Sequence, residues 1–172
     1  PLSISVLEAI KELCIKNDIL LFLDEVQCGF GRSGKLFSYQ WSNIEPDILA
    51  SAKGIGSGFP MGACLATNES SIAMQKGTHG STFGGNQLAI SVGTEVIKEI
   101  MTGNFLANVS EVSEYLWKNL IKMKNDIVDI EEVRGAGLLL GIKTKSKNTK
   151  ICDLFCKYGL LTVTASDNII RI

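Results

Sequence analysis

Residues 19–23, Ile-Leu-Leu-Phe-Leu, form an unbroken apolar run that stops at Asp24. A strand with water on one face alternates apolar and polar residues, whereas a strand covered on both faces reads as a continuous apolar run. The run therefore predicts a covered strand of a parallel sheet, and with it an α/β fold. A carboxylate at the C-terminal end of such a strand faces the crevice where open α/β sheets bind ligands. Asp24 is a candidate functional residue on position alone.

The flanking segments fit this arrangement. Ser5 and Glu8 have capping-box spacing, and Val6, Leu7, Ile10, Leu13 and Cys14 follow at helical spacing, predicting a helix to about Asn17. Residues 28–34, CGFGRSG, form a glycine-rich loop. Residues 46–50 predict a second short strand leading to Ser51 and Lys53. Residues 54–60 read as a loop, 61–66 as a third strand and 77–86 as a loop of small and polar residues. Helices are expected over 87–101, with Leu88, Val92, Val96 and Ile100 on one face, and over 104–124. After Asn125 the pattern changes to strands at 127–133, 137–142, 161–163 and 169–172 with one helix near 149–158, an α+β arrangement. A domain boundary is expected there, dividing the chain into 1–124 and 125–172.

Composition excludes several function classes. Hydrophobic residues make up 45% of the 172 and charged residues 20%, enough to build a core. A formal net charge of −1 gives no general attraction for nucleic acid or an anionic membrane. No apolar run is long enough to cross a bilayer, and the N-terminus lacks a charged segment followed by an apolar one, so the expectation is cytoplasmic. The five cysteines show no C-x-x-C spacing and read as packing residues in a reducing compartment. With His79 as the one histidine, a histidine-rich metal site cannot be built, and no metal is expected. The chain begins at Pro1 without an initiator methionine and ends directly after a strand-like segment, which predicts a piece of a longer polypeptide.

A carboxylate, a lysine and phosphate-binding backbone in one crevice suit a phosphorylated pyridine cofactor. The lysine amine forms a Schiff base, a carboxylate keeps the ring nitrogen protonated, and backbone amides with a hydroxyl receive the phosphate. Leu23-Asp-Glu-Val-Gln27, CGFGRSGKLF, PDILASAKGIGSGFPMGA and THGSTFGGN occur in that order. Together they resemble class III of the fold type I aminotransferases, which depend on pyridoxal 5′-phosphate. Singly, each has a plainer reading: a strand-end cap for Asp24, a solvated side chain for Lys53, a turn for residues 54–58. A nucleotide-binding reading fails because no G-x-x-x-x-G-K-[ST] motif is present.

The resemblance covers essentially the whole chain and implies a large-domain segment followed by part of a small α+β domain. It implies catalytic roles for Lys53, the Schiff-base lysine and proton carrier, and for Asp24, the pyridinium partner. Glu25, Val26, Gln27 and Thr82 complete the implied cofactor set. Val26 corresponds to the residue packed on one ring face, Gln27 to the amide near the ring hydroxyl, and Thr82 to the hydroxyl that reaches the phosphate bound in the other subunit. Ser81 and Arg171 correspond to substrate contacts, Arg171 receiving a carboxylate through its planar fork of donors. His79 reads as a loop residue near the subunit contact. Arg134, in Val133-Arg-Gly-Ala-Gly137, reads as part of a tight turn, with no catalytic role.

The implied activity is transfer of an amino group from N-acetylornithine or a related ω-amino donor to 2-oxoglutarate, in arginine biosynthesis, by a homodimer with shared sites. Ornithine, succinyl-diaminopimelate and 4-aminobutyrate are alternative donors. The competing reading is a non-catalytic fragment of such an enzyme. Family members are about twice as long or more, and their same-subunit phosphate loop, ring-stacking aromatic and a specificity glutamate correspond to regions upstream of Pro1.

Overall fold

The computed structural model describes residues 2–172, which divide into two units, 2–106 and 107–172. The division falls in the first turn of a long helix.

The first unit opens with helix α1 (Ile4–Lys16), whose cap is Ser3, not Ser5. Ser3 is extended (φ −71°, ψ 154°) and its Oγ accepts the amide of Val6 at 3.3 Å. Ser5 already lies in the helix, so its hydroxyl meets only that of Ser3, at 3.1 Å. Strands β1 (Phe22–Asp24), β2 (Ile48–Ala52) and β3 (Gly62–Ala66) form a sheet in that order, β1 and β2 parallel and β3 antiparallel. Helices α2 (Asn68–Ser71) and α3 (Gln87–Met101) follow.

β1 corrects one expectation. The ladder begins only at Phe22↔Ile48, because the preceding amide of Leu21 is taken by the Asp47 carboxylate at 2.7 Å. Leu21 is 7% exposed, but Ile19, Leu20 and Phe22 stand 54–59% exposed. The apolar run is thus covered on one side only among the described residues. Strand β2 starts two residues later than predicted and runs directly into Lys53.

The second unit contains the remainder of α4 (Phe105–Asp126), then β4 (Ile130–Ala136), β5 (Leu139–Thr144), α5 (Asn148–Lys157), β6 (Val163–Ala165) and β7 (Ile169–Arg171). The sheet order is β4-β5-β7-β6, every pair antiparallel. Leu120 of α4 packs with Leu140 and Ile142 of β5, flanked by Leu116, Trp117, Ile130 and Val133. Ile170 is fully buried. The β6–β7 turn is fixed by two asparagines. Asn168, at φ +57°, donates its side-chain amide to Ser146 O at 2.8 Å, while its Oδ1 accepts the amide of Asn148 at 2.9 Å. Asn148 in turn donates to Ala165 O and Ile169 O, each at 3.0 Å.

Candidate active site

Parallel pairing of β1 with β2 sets Asp24 opposite Ala50 and brings the C-terminal ends of both strands to one side of the sheet. Asp24 is exposed there. Its Oδ1 accepts the amide of Val26 at 2.9 Å, a local turn that orients the carboxylate and leaves Oδ2 without that tie. Three residues beyond Ala50, β2 ends and Lys53 begins a single 3-10 turn, Lys53–Gly56. The Lys53 amine donates to the Gln27 side-chain carbonyl, so Asp24, Gln27 and Lys53 come together from two strand ends.

The backbone around Lys53 is tightly specified. Lys53 sits at φ +50°, in the left-handed region that costs an L-residue about 1–2 kcal/mol. Strain of this kind persists only where surrounding packing over-determines it. Gly54 supplies part of that packing: a Cβ there would lie 2.7 Å from Phe30 Cβ, so the glycine-rich loop after β1 rests on the turn after β2. Phe30 meets Phe37 edge-on at 5.7 Å. On the other side, α3 approaches the turn at Gly93, where a Cβ would meet Met61 Cε at 2.9 Å and Ile55 Cγ1 at 3.7 Å.

Glu25 is directed inward, to the loop. It is 3% exposed, and its carboxylate accepts the amides of Ser38 and Tyr39 at 2.9 and 2.8 Å and the Cys28 thiol at 3.3 Å. Burial, followed by the charge and hydrogen bond of Glu25, pushes the Cys28 thiol above its usual range, against an opposing hydrogen bond with Ser38. Val26 and Gln27 are half-buried beside Asp24.

Ser81 and Thr82 lie in the exposed stretch before α3, with Phe83 82% exposed. Among the described residues no hydrogen bond joins either hydroxyl to Asp24 or Lys53. The stretch is tied to α3 at its end, where Asn86 caps the helix through Ala89 N at 3.1 Å. Arg171 belongs to the other unit, exposed at the end of β7. Two features escaped the sequence reading: the left-handed backbone of Lys53 and the loop-holding carboxylate of Glu25. A charged residue next to a strand end gives no signal of which way it turns.

The residues present fit a phosphopyridine aldehyde. An amine, a carboxylate and a side-chain amide lie at adjacent parallel strand ends, and an amine with a carboxylate is the pair such a group requires. A family model for class III aminotransferases matches residues 1–172. The chain belongs to that family.

Class III aminotransferases are pyridoxal-phosphate-dependent. Over 173 residues the chain is 45% identical to acetylornithine aminotransferase of Mesorhizobium japonicum, covering 100% of this chain and 43% of that protein. It is 42% identical over 166 residues to acetylornithine aminotransferase of Clostridium acetobutylicum, covering 96% of this chain and 43% of the relative. Ornithine delta-aminotransferase of Plasmodium falciparum superposes with a TM-score of 0.92 at 33% identity, over 99% of this chain and 44% of that one. N-acetylornithine aminotransferase of Stenotrophomonas maltophilia gives 0.84 at 34%, over 96% and 44%. The first unit with its parallel strand pair is a segment of the fold type I large domain, and the antiparallel sheet with its helices is part of the small domain. The chain spans less than half the length of these relatives.

Proposed function

We propose that the polypeptide carrying this sequence is a transaminase that moves an amino group from N-acetylornithine, or a related ω-amino donor, to 2-oxoglutarate. The observation that carries the reading is the meeting of Lys53 with Gln27 beside Asp24 at adjacent parallel strand ends. The names of the curated relatives support N-acetylornithine as donor and a place in arginine biosynthesis. Ornithine is the alternative donor, since ornithine aminotransferases share the fold. A taurine:2-oxoglutarate aminotransferase of Bifidobacterium kashiwanohense, solved with pyridoxal phosphate and glutamate, has a TM-score of 0.90 at 26% identity, which supports 2-oxoglutarate as acceptor.

When bound, pyridoxal phosphate supplies an aldehyde for amines and a ring that withdraws electrons from the amine-bearing carbon. Lys53 would hold the group through its amine, and the same amine would be the proton carrier for the reacting carbon. Asp24 keeps the proton on the pyridine nitrogen, the tie of Oδ1 to Val26 N fixing the direction of its carboxylate. Gln27, whose side-chain carbonyl accepts from the Lys53 amine, would be the amide near the ring hydroxyl. Val26 would pack on a ring face, and Arg171 would bind a substrate carboxylate with two parallel donors. Thr82, in an exposed loop, would reach the phosphate bound in a second copy, with Ser81 beside it as a substrate contact, in a homodimer with shared sites.

The test is to mix the 172-residue chain with pyridoxal phosphate, reduce with borohydride, and map the modified lysine against a Lys53→Ala control. Labelling confined to Lys53 and lost in the control is expected. Labelling scattered over surface lysines would sink the assignment for this chain. It would favour the alternative of a non-catalytic segment of such an enzyme.

A further inference from the structure

The four-stranded sheet places Arg134 on β4, Gly141 on β5 and Arg171 on β7 in one row of cross-strand partners. Directly opposed residues share a face, and two strand spacings put the arginine backbones about 10 Å apart. Gly141 puts no side chain of its own between them. A Cβ there would lie 2.8 Å from Ile169 Cγ2, so packing holds the position to glycine. Glu132 and Lys143, also cross-strand partners, lie on the same face.

The charges on this face are not shared evenly. Arg134 meets Glu132 at 3.8 Å through Nη1 and Asp167 at 3.5 Å through Nη2. Lys143 Nζ adds a second hold on Asp167 at 3.0 Å. That ammonium keeps the Asp167 carboxyl below the usual carboxylate range. Arg171 has no ion-pair partner among the described residues. Glu132 shares a sheet face with Arg171, so a carboxylate of the protein itself, once released there, would compete with a dissolved carboxylate as a tethered group.

We propose that Arg134 is the positioning residue of Arg171: by gathering Glu132 and Asp167, with Lys143 as second hold, it keeps Arg171 unpaired for a substrate carboxylate. The inference rests on the reading of Arg171 given under Proposed function. It assigns Arg134 a task beyond the tight turn implied by its flanking glycines, since the contacts run across three strands.

The sequence holds arginine only at 32, 134 and 171, so the guanidinium Nε–H signals of the full chain can be assigned by single Arg→Lys substitutions. Titration with 2-oxoglutarate is expected to move the Arg171 signal and leave Arg32 in place. Arg134→Gln is expected to weaken the Arg171 response by about two- to fivefold, the span of an exposed ion pair. Arg134→Lys should stay near wild type. Adding Glu132→Gln and Asp167→Asn to Arg134→Gln should restore the response, which a merely structural loss would not do. If Arg134→Gln does not fold, Lys143→Gln with and without Asp167→Asn makes the same comparison. A folded Arg134→Gln that titrates like wild type overturns the proposal, as does a loss that deleting the carboxylates leaves uncured or an unresponsive wild-type Arg171. Any of these with Lys53 labelling intact strikes only the role of Arg134, whereas failed labelling strikes the transaminase reading.

Discussion

Tyr39 donates its backbone N–H to Glu25 Oε1 at 2.8 Å, while Oε2 receives the amide of Ser38 at 2.9 Å. The two amides open the 3-10 turn Ser38–Trp41, so one buried carboxylate satisfies the start of that turn and anchors the loop between β1 and β2. Glu25 follows Asp24 directly, and its own amide bonds to Ala50 O at 2.8 Å. The residue that ends β1 is thus held in place by the residue after it.

Glu25→Gln should therefore be costly for its size. One carboxylate oxygen becomes an NH2 that faces a backbone N–H, donor against donor, inside a site 3% exposed. A buried polar group left unpaired costs roughly 1–3 kcal/mol, and loss of that order is expected in urea unfolding of the chain. Glu25→Gln with an unchanged midpoint would show that the loop does not depend on this carboxylate.

Lys11 and Asp47 tie α1 to the start of β2. Lys11 Nζ lies 2.8 Å from Asp47 Oδ2, which also accepts the amide of Leu21 at 2.7 Å. The Lys11 hydrogen bond, then the Leu21 amide, holds the Asp47 carboxyl below the usual carboxylate range. A carboxyl whose folded value is depressed adds stability that is complete above its unfolded value of about 3.9 and disappears as pH falls through the folded value. Asp47→Asn should thus cost about 1 kcal/mol at neutral pH. The gap to wild type should close in acid, as pH falls through the depressed folded value. Urea midpoints at the two pH values measure this, and a gap independent of pH would rule the charge out as its source.

Much of this organisation is legible in sequence because it rests on periodicity. α3 falls at residues 87–101 as expected from Leu88, Val92, Val96 and Ile100, and the four strands expected after residue 125 appear as β4 to β7 with shifted bounds. Asp24 and Lys53 are recognisable from their placement at strand ends within ordered motifs. Other features are set by tertiary contacts that leave no local trace. The start of β1 depends on where the Asp47 carboxylate sits, 26 residues from Leu21. The direction of Glu25 depends on amides 13 and 14 residues away. The pairing of Arg134 with Asp167 spans 33 residues. Phe22 stands 54% exposed although the apolar run predicts cover on both faces, because such a run reports what a strand tolerates on each face and not what covers it.

The left-handed backbone of Lys53 separates the chemical need for this side chain from its conformational cost. Glycine occupies φ +50° without the clash that Cβ brings, whereas alanine keeps that clash. Both Lys53→Gly and Lys53→Ala remove the amine and its bond to Gln27, so the amine contributes equally to both comparisons. Relief of about 1–2 kcal/mol of backbone strain is partly offset by the greater freedom of glycine in the unfolded chain, about 0.4–1 kcal/mol. Lys53→Gly should then be more stable than Lys53→Ala by about 0.5–1 kcal/mol, although neither variant can be labelled at position 53. The opposite order in urea unfolding would mean that the turn after β2 relaxes once the lysine is gone. In that case the side chain, and not the packing of Gly54 against Phe30, would be what imposes the left-handed conformation.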